Sequence, residues 1–385
     1  MKRRFSFLLI IFLLPLILTG CWDLRDIDQR AIIIAIGIDF EKTTPGSNFS
    51  YDQLVKLTAQ LAIPQKLGAG AGQTPAMGEE SVWNVSAVGR NLSMAIVNLQ
   101  QRLQNEFFLA HARVVVISEE VAREGVSRYI NFLTNNTEFR RLSHIVISEG
   151  RAEDILNTFP KTATIQGMFL NQLIENEVMR ETIPDIPFIE FTIRSIDKGI
   201  DPVAIMVNSF GDVVKYSGIA VFRGDRLVGR MNKEEIWSFI QLAGNYSGGI
   251  EVVRDIKSNI GRITIKYTNI DSHIKPMRKD ETFLFKVDIL LEGILLAQEI
   301  DTDYTDEALF DNLEKRVRNE AKKEMEAVYY KIQQQYDADI IGFGERVRAY
   351  LPAEWNKIEN WREEFKKVEI EIEMEVKIKQ IGMYI

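Results

Sequence analysis

The clearest pattern in the chain is a two-residue alternation near its C-terminal end. Apolar residues occupy every second position from Val368 to Ile378, and the positions between them hold Glu or Lys. Because successive side chains of a β-strand point to opposite faces, this alternation predicts a strand with one buried face and one solvated face.

A different pattern predicts a buried hairpin at the start of the chain. Residues 31–38 form a nearly continuous, isoleucine-rich apolar run, which is typical of a strand buried on both faces. A turn signal follows at 43–47, and apolar residues then alternate from Val55 to Ile63. We therefore predict that these two strands pair. Apolar residues from Leu92 to Leu103 recur at helical spacing and predict a helix with one apolar stripe.

Two similar units follow, and each consists of a short apolar strand that ends in Ser-Glu. The strands lie at 112–119 and 143–149, and a helical pattern follows each of them. This order predicts a parallel βαβα arrangement. The segment 160–202 is predicted to be helical, with breaks at Pro184 and Pro187.

The second half of the chain alternates between strand signals and one long helix. A hairpin is predicted at 218–229 with Gly224-Asp225 as its turn, and a strand is predicted at 283–300. A helix should begin near Thr305, which is a suitable N-cap, and end before Gly342. We interpret 342–344 (Gly-Phe-Gly) as a helix C-cap and turn that buries the phenylalanine. The alternative is a loop that faces a partner.

These elements together predict a mixed α/β (α+β) fold with two to three domains, each a mixed or antiparallel sheet packed with helices. A chain of 385 residues is long enough for several cores. We expect an N-terminal mixed α/β domain at 21–198 and a small β-rich middle domain at 199–275. A C-terminal domain at 276–385 would contain the long helix and the terminal strand.

The N-terminal residues predict a lipoprotein signal peptide at 1–20. Basic residues at 2–4 precede an apolar stretch at 5–18, which is shorter than the roughly 20 residues that span a bilayer. The cleavage motif Leu18, Thr19, Gly20 then leads to Cys21, whose thiol can accept a diacylglyceryl group. The alternatives are an ordinary secreted protein and a retained signal anchor. The residues that follow the lipidated cysteine are candidates for contact with a partner or the membrane, namely Trp22, Asp23 and Arg25. The alternative is that they have a sorting or packing role.

Composition argues against several classes of protein. Cys21 is the single cysteine, so a disulfide framework and a structural zinc cluster are excluded. The formal net charge of −8 disfavours nucleic-acid binding, and loss of three basic residues with the signal peptide makes the mature chain more acidic. Membrane attachment would therefore depend on the lipid.

Candidate catalytic chemistry is sparse. The three histidines share no metal-binding spacing, and we interpret His111 and His144 as core or edge residues of strands. Neither a nucleophile elbow nor a phosphate-binding glycine loop follows a strand. Acidic residues are frequent, and we interpret them as the solvent-facing side of helices and strands. We therefore predict that the protein is not an enzyme and binds neither a metal nor a cofactor, apart from the covalent lipid on Cys21.

Several short motifs are spread along the whole chain. The mature chain would begin Cys-Trp-Asp, and the buried strand ends in Gly-Ile-Asp at 37–39. Further motifs are Gly-Ile-Asp-Pro at 199–202, Gly-Ile-Ala-Val-Phe at 218–222, Ala-Asp-Ile-Ile-Gly-Phe-Gly at 338–344, and Pro352 with Trp355. Together these motifs resemble those of the Ger(x)C family, the lipoprotein C subunits of nutrient germinant receptors in spore-forming bacteria. One position departs from the family pattern, since Ala110 replaces a usual glycine before His111.

The resemblance implies a non-enzymatic subunit held by lipid on the extracytoplasmic face of the spore inner membrane. It also implies assembly with an A subunit and a transporter-like B subunit, and it leaves open which subunit holds the nutrient. The runner-up is a solute-binding lipoprotein that delivers a small ligand to a transporter. An extracytoplasmic hydrolase is the third interpretation, and it would need a carboxylate or histidine cluster in a deep pocket.

Overall fold

The computed structural model describes residues 29–42, 53–63, 81–161, 165–180, 182–244, 252–258, 261–298 and 307–380. Its strands are β1 (Arg30–Lys42), β2 (Gln53–Ala62), β3 (Val82–Gly89), β4 (Glu106–Phe108), β5 (Val114–Ser118), β6 (His144–Ser148), β7 (Val203–Phe210), β8 (Val213–Arg223), β9 (Arg226–Met231), β10 (Val252–Ser258), β11 (Gly261–Lys279), β12 (Thr282–Gln298) and β13 (Glu369–Gln380). Its helices are α1 (Leu92–Gln100), α2 (Glu119–Glu124), α3 (Ser127–Asn135), α4 (Ala152–Asn157), α5 (Gln166–Met179), α6 (Phe188–Ile196), α7 (Lys233–Ala243), α8 (Glu307–Tyr330), α9 (Phe343–Tyr350), α10 (Pro352–Trp355) and α11 (Trp361–Phe365).

The first sheet is mixed, and its order is β3-β2-β1-β5-β6-β7-β8-β9, with β4 paired beside β1. Its centre is parallel, because β1, β5, β6 and β7 run in the same direction. Antiparallel hairpins flank this centre on both sides. Every residue of β5 and β6 is buried, as expected for parallel strands covered on both faces. The predicted hairpins and the parallel βαβα arrangement are confirmed.

The second sheet has the order β10-β11-β12-β13. Its first three strands are antiparallel, whereas β13 pairs parallel to β12 along its whole length. In β13, Ile372, Val376 and Ile378 are buried and the intervening Glu and Lys residues are exposed. The predicted one-sided strand is therefore confirmed. The long helix α8 contributes a buried stripe at Leu313, Val317, Ala321, Met325 and Val328.

The end of the long helix differs from the prediction. After Tyr330 the helix continues as one π-helical turn, Lys331–Tyr336, and ends at Asp337 in the left-handed region (φ 50°). Gly342 (φ 82°) lies directly before α9 and is its N-cap, so it is not the C-cap of the long helix. The C-cap interpretation of 342–344 was wrong, although the burial of Phe343 is confirmed. The predicted N-cap at Thr305 lies outside the described residues.

The predicted domain boundaries do not coincide with the two sheets. Strands β7, β8 and β9 belong to the first sheet, so the boundary at 198/199 separates β7 from its parallel partner β6. The boundary at 275/276 cuts through β11. Segment 199–275 thus supplies strands to both sheets and is not a β-rich domain of its own. After β7 the first sheet continues with antiparallel strands, so the direction of successive strands changes there. A sequence pattern does not distinguish such a change of direction from the start of a new sheet. The mixed α+β fold class is confirmed, with two mixed sheets packed against helices.

Candidate functional site

Two motifs that are far apart in the sequence meet at the junction between the two sheets. Residues 199–202 precede β7, and residues 338–344 follow the π-helical turn and include the first two residues of α9. Asp201 N donates to Asp339 O (2.8 Å), and Glu345 N donates to Gly199 O (3.1 Å). A Cβ placed on Gly344 would lie 2.6 Å from Gly199 Cα and 2.6 Å from Trp361 Nε1. The close approach of the two backbones therefore requires glycine at this position.

Asp339 is the centre of this junction, and its carboxylate is 2 % exposed. Its Oδ1 accepts hydrogen bonds from Gly342 N (2.9 Å) and Phe343 N (3.1 Å). Its Oδ2 accepts from Gly344 N (2.8 Å) and Trp361 Nε1 (2.8 Å). Burial raises the pKa of Asp339 to about 6, although these N–H donors oppose the shift by stabilising the ionised form. The carboxylate thus orders the turn that begins α9.

Asp201 joins three segments in a similar way. Its Oδ1 accepts from Gly224 N in the β8–β9 turn (2.7 Å) and from Arg362 Nη2 in α11 (2.7 Å), and its Oδ2 accepts from Asp339 N (3.0 Å). The side chain is 5 % exposed, whereas Arg362 is partly exposed. This carboxylate therefore fixes the turn of the first sheet to the C-terminal helices.

An aromatic cluster seals the same junction. Phe343 stacks on Phe285 of β12 with ring centroids 3.9 Å apart, and Trp361 lies 5.7 Å from Trp355 and 6.0 Å from Phe283. Trp361 is buried and Trp355 is half-buried. The motif at 338–344 thus supplies both a buried carboxylate and a buried ring.

A cavity of about 610 Å³ opens beside the junction. Its lining comes from α5, α6 and the segment between them, from Ile200, from α7, and from residues 340–341 with the start of α9. Both the first sheet's helices and the C-terminal segment therefore line it. Sequence spacing did not point to this cavity, because its lining residues come from four separate segments.

The predicted anchor residues cannot be placed on this structure. Leu18, Thr19, Gly20, Cys21, Trp22, Asp23 and Arg25 lie outside the described residues. Within the described ranges, no helix is both long enough and apolar enough to cross a membrane.

Of the two histidines interpreted as core or edge residues of strands, His144 lies in β6, whereas His111 lies in an exposed turn between β4 and β5. His144 is buried at the start of β6, with Nε2 3.5 Å from Asp185 Oδ1, whereas His111 is exposed beside Phe108. Among the residues that the structure describes, no group of three His, Cys, Asp or Glu side chains could hold a metal ion. Both junction carboxylates accept their hydrogen bonds from protein donors, so the arrangement is suited to holding segments together.

Comparison with known proteins gives matches along nearly the whole chain. Residues 23–209 match a family described as spore germination protein N-terminal domain, and residues 217–382 match one described as spore germination B3/GerAC like, C-terminal. The division between the two falls at the β7–β8 turn, inside the first sheet.

Individual relatives agree with the family match. Spore germination protein YndF of Bacillus subtilis is 29 % identical over 99 % of this chain and 98 % of its own length. Spore germination protein B3 of the same organism is 22 % identical, over 99 % of each chain. The crystal structure of the GerBC protein has a TM-score of 0.58 and 19 % identity, and it covers 91 % of this chain and 99 % of that chain, which shows a shared fold. The chain belongs to the GerAC-like family of spore germination proteins, the Ger(x)C family that its motifs resemble.

Proposed function

We propose that this protein is a lipid-anchored, non-enzymatic subunit of a nutrient germinant receptor, needed for receptor assembly and for the germination response of spores. The observation that carries the proposal is the family match across residues 23–382, which begins two residues after Cys21. In this proposal Cys21 bears a diacylglyceryl group, and the folded part lies on the extracytoplasmic face of the spore inner membrane beside the A and B subunits.

The junction supports a scaffolding role. Asp201 and Asp339 lie 138 residues apart, yet they share a hydrogen bond and fix the β8–β9 turn, α9 and α11 in one arrangement. Both carboxylates are buried and accept hydrogen bonds from protein donors. General acid–base chemistry instead requires a carboxylate that a substrate can reach. A rigid body attached by two or three acyl chains would be held stably at the membrane surface, which a single chain does not achieve.

The test is a Cys21→Ala substitution in the full-length protein, expressed in spores from its own promoter. We expect the variant to lack the thioether lipid and to be lost from the membrane fraction, with a slower or absent response to amino acids and sugars. Mass spectrometry of the N-terminal peptide reports the lipid, and fractionation with loss of spore refractility reports location and germination. Thr19→Ser, which keeps a small residue in the cleavage motif, is the matched control and should behave as wild type.

A Cys21→Ala spore that germinates normally with its protein in the soluble fraction would show that the anchor is not required. If the Cys21→Ala protein still carries the lipid, the modified residue lies elsewhere in the chain.

The cavity at the junction favours a second candidate, a solute-binding lipoprotein that passes a small ligand to a transporter. The genes beside this one separate the two candidates. Genes for a multi-span protein and a transporter-like permease favour the receptor subunit, whereas a gene for a transport ATPase favours the solute-binding protein.

A further inference from the structure

The second sheet ends in an edge strand whose backbone carries free hydrogen-bonding groups. Among the described strands, β13 pairs only with β12, which lies along one of its sides. On the other side Ile378 N donates to Glu314 Oε1 of α8 (2.8 Å). Since successive residues of a strand direct their N–H and C=O groups to alternate sides, Met374 and Val376 also direct theirs away from β12. No other described residue donates to these groups or accepts from them.

Side chains cover the two edges of the first sheet. At the edge of β3, Asn98 Nδ2 of α1 donates to Val88 O (2.8 Å). At the edge of β9, the Tyr336 hydroxyl donates to Arg230 O. Exposed edge groups can pair with a strand of another chain, and proteins commonly protect them in such ways. The edge of β13 has this protection at Ile378 alone among its described residues, so most of the edge can accept a further strand.

The exposed face of β13 carries a charge pattern that is complementary to itself. Glu373 and Glu375 precede Val376, and Lys377 and Lys379 follow it. If a second β13 pairs antiparallel with Val376 opposite Val376, Glu373 lies opposite Lys379 and Glu375 lies opposite Lys377. Moving the two-fold axis by one residue would instead place Glu375 opposite Glu375, or Lys377 opposite Lys377. The charges therefore favour one register.

The same charges are only weakly engaged within one chain. Lys377 Nζ lies 3.0 Å from Glu375 Oε1, and these side chains are 49 % and 64 % exposed. Carboxylates of β12 and α8 also attract Lys377. Glu373 and Lys379 form no ion pair with a described residue. Because exposed ion pairs contribute little to stability, the contact between Lys377 and Glu375 leaves both groups able to face opposite charges on another strand.

We propose that two copies of this chain pair through the free edges of β13, antiparallel about a two-fold axis at Val376. The two four-stranded sheets would then form one continuous sheet. Each copy presents the same surface, as a two-fold homodimer requires. Backbone bonds would join the two Val376 residues and would run from Met374 N to Ile378 O of the copy. Only Ile378 N must first release Glu314.

The inference goes beyond the proposed function, because it concerns a second copy of this chain and applies equally to a receptor subunit and to a solute-binding protein. The half-buried Met374 would also gain Ile378 of the copy as an apolar neighbour on the face that α8 covers. A copy of β13 thus matches the edge in its backbone groups, in its charges and in its apolar side chains.

The experiment measures the mass of the full-length protein in detergent by sedimentation velocity, over a range of micromolar concentrations. Micelles are kept in excess over the protein, so that two chains do not share a micelle by chance. We expect the wild type to sediment as a dimer at the upper end of the range and to dissociate on dilution.

Two charge reversals test the register. Lys377→Glu places like charges opposite each other at Glu375 of the copy, and Glu375→Lys does so at Lys377 of the copy. Because the axis is two-fold, each substitution acts twice, and each should raise the dissociation constant of the dimer about tenfold or more. In an equimolar mixture of the two variants every Glu faces a Lys, so the mixed dimer should recover the wild-type dissociation constant to within about threefold.

Glu120→Lys is the matched control, since Glu120 is an exposed residue of α2 and carries the same reversal of charge away from β13. It should dimerise like the wild type. Circular dichroism of each variant reports whether the fold is retained. The substituted side chains are all exposed, so we expect every variant to fold.

The proposal is overturned if the wild type stays monomeric throughout the range, if either folded reversal at the edge dimerises like the wild type, or if the mixed variants associate no better than each variant alone. Loss of the dimer in each reversal and its recovery in the mixture would support the proposal. Mass reports association alone, so none of these results bears on the lipid proposed at Cys21.

Discussion

The indole N–H of Trp361 should contribute measurably to stability, because its acceptor is a buried carboxylate. Trp361 Nε1 lies 2.8 Å from Asp339 Oδ2, and both side chains are buried. Replacing Trp361 with Phe keeps an aromatic ring beside Phe283 and Phe365 but removes this donor. The substitution therefore tests the hydrogen bond more than the packing.

The magnitude follows from two contributions. A hydrogen bond to a charged group contributes about 1.5–3 kcal/mol. The smaller ring leaves part of the site unfilled, which costs on the order of 1 kcal/mol. We therefore expect Trp361→Phe to lower the free energy of unfolding by about 2.5–4 kcal/mol at neutral pH. Trp355→Phe is the matched control, since Trp355 is half-buried in the same cluster and does not bond to Asp339. It should cost only about 1 kcal/mol.

The pH dependence gives a second signature. The pKa of Asp339 is about 6 and the indole donor acts to lower it, so this hydrogen bond stabilises the ionised form. The deficit of Trp361→Phe should therefore be fully present at about pH 8 and shrink as the pH falls through about 6. Urea titrations of the full-length variants in one detergent, followed by far-ultraviolet circular dichroism, measure it. Equal deficits for the two tryptophan variants, or a deficit that does not change between pH 5 and 8, would refute the reasoning.

Three further predictions concern the same fold. A chain truncated before Val368 should fail to form the second sheet, because it loses a strand that covers β12 along its length; a truncated chain with an unchanged urea midpoint would contradict this. Gly344→Ala should destabilise the protein by about 1–3 kcal/mol through its close backbone contact, whereas Gly150→Ala, which meets nothing within 4 Å, should be neutral in the same titration. Burial alone would raise the pKa of Asp197, but hydrogen bonds from Arg348 hold this pKa below its ordinary value. The contribution of this pair to the free energy of unfolding is therefore present at neutral pH and is lost as the pH falls through the lowered pKa. Arg348→Gln should remove this acid-sensitive contribution to stability, which amounts to less than about 1 kcal/mol at such an exposed site. If the free energy of unfolding of the variant depends on pH as in the wild type, the pair is not coupled to folding.

Local patterns predicted most elements of the fold. The alternation in β13, the apolar run in β1 and the two strand–Ser–Glu units each determine which face of an element is buried, and the structure agrees with all of them. These predictions succeeded because burial of a strand face depends mainly on residues two apart. The end of the long helix was mispredicted because glycine is favoured both after a helix and at the left-handed position before one.

The motifs at 199–202 and 338–344 could be recognised in the sequence, but their contact could not. Asp201 and Arg362 are 161 residues apart, and nothing in their spacing predicts the 2.7 Å bond between them. The burial of Arg346 Nε without an acceptor among the described residues was likewise not predictable, since an arginine on a short helix is ordinarily solvated.

The sequence by itself determined the family, the mixed α+β class, the directions in which most strands and helices bury their side chains, and the prediction of a lipid on Cys21. Only the tertiary structure decided how the segments divide between two sheets, that Asp201 and Asp339 meet, and that a cavity lies beside them. The reason is physical: propensity and periodicity act over a few neighbouring residues. The pairing of sheets, the satisfaction of buried carboxylates and the shape of a cavity depend on contacts between residues more than a hundred positions apart.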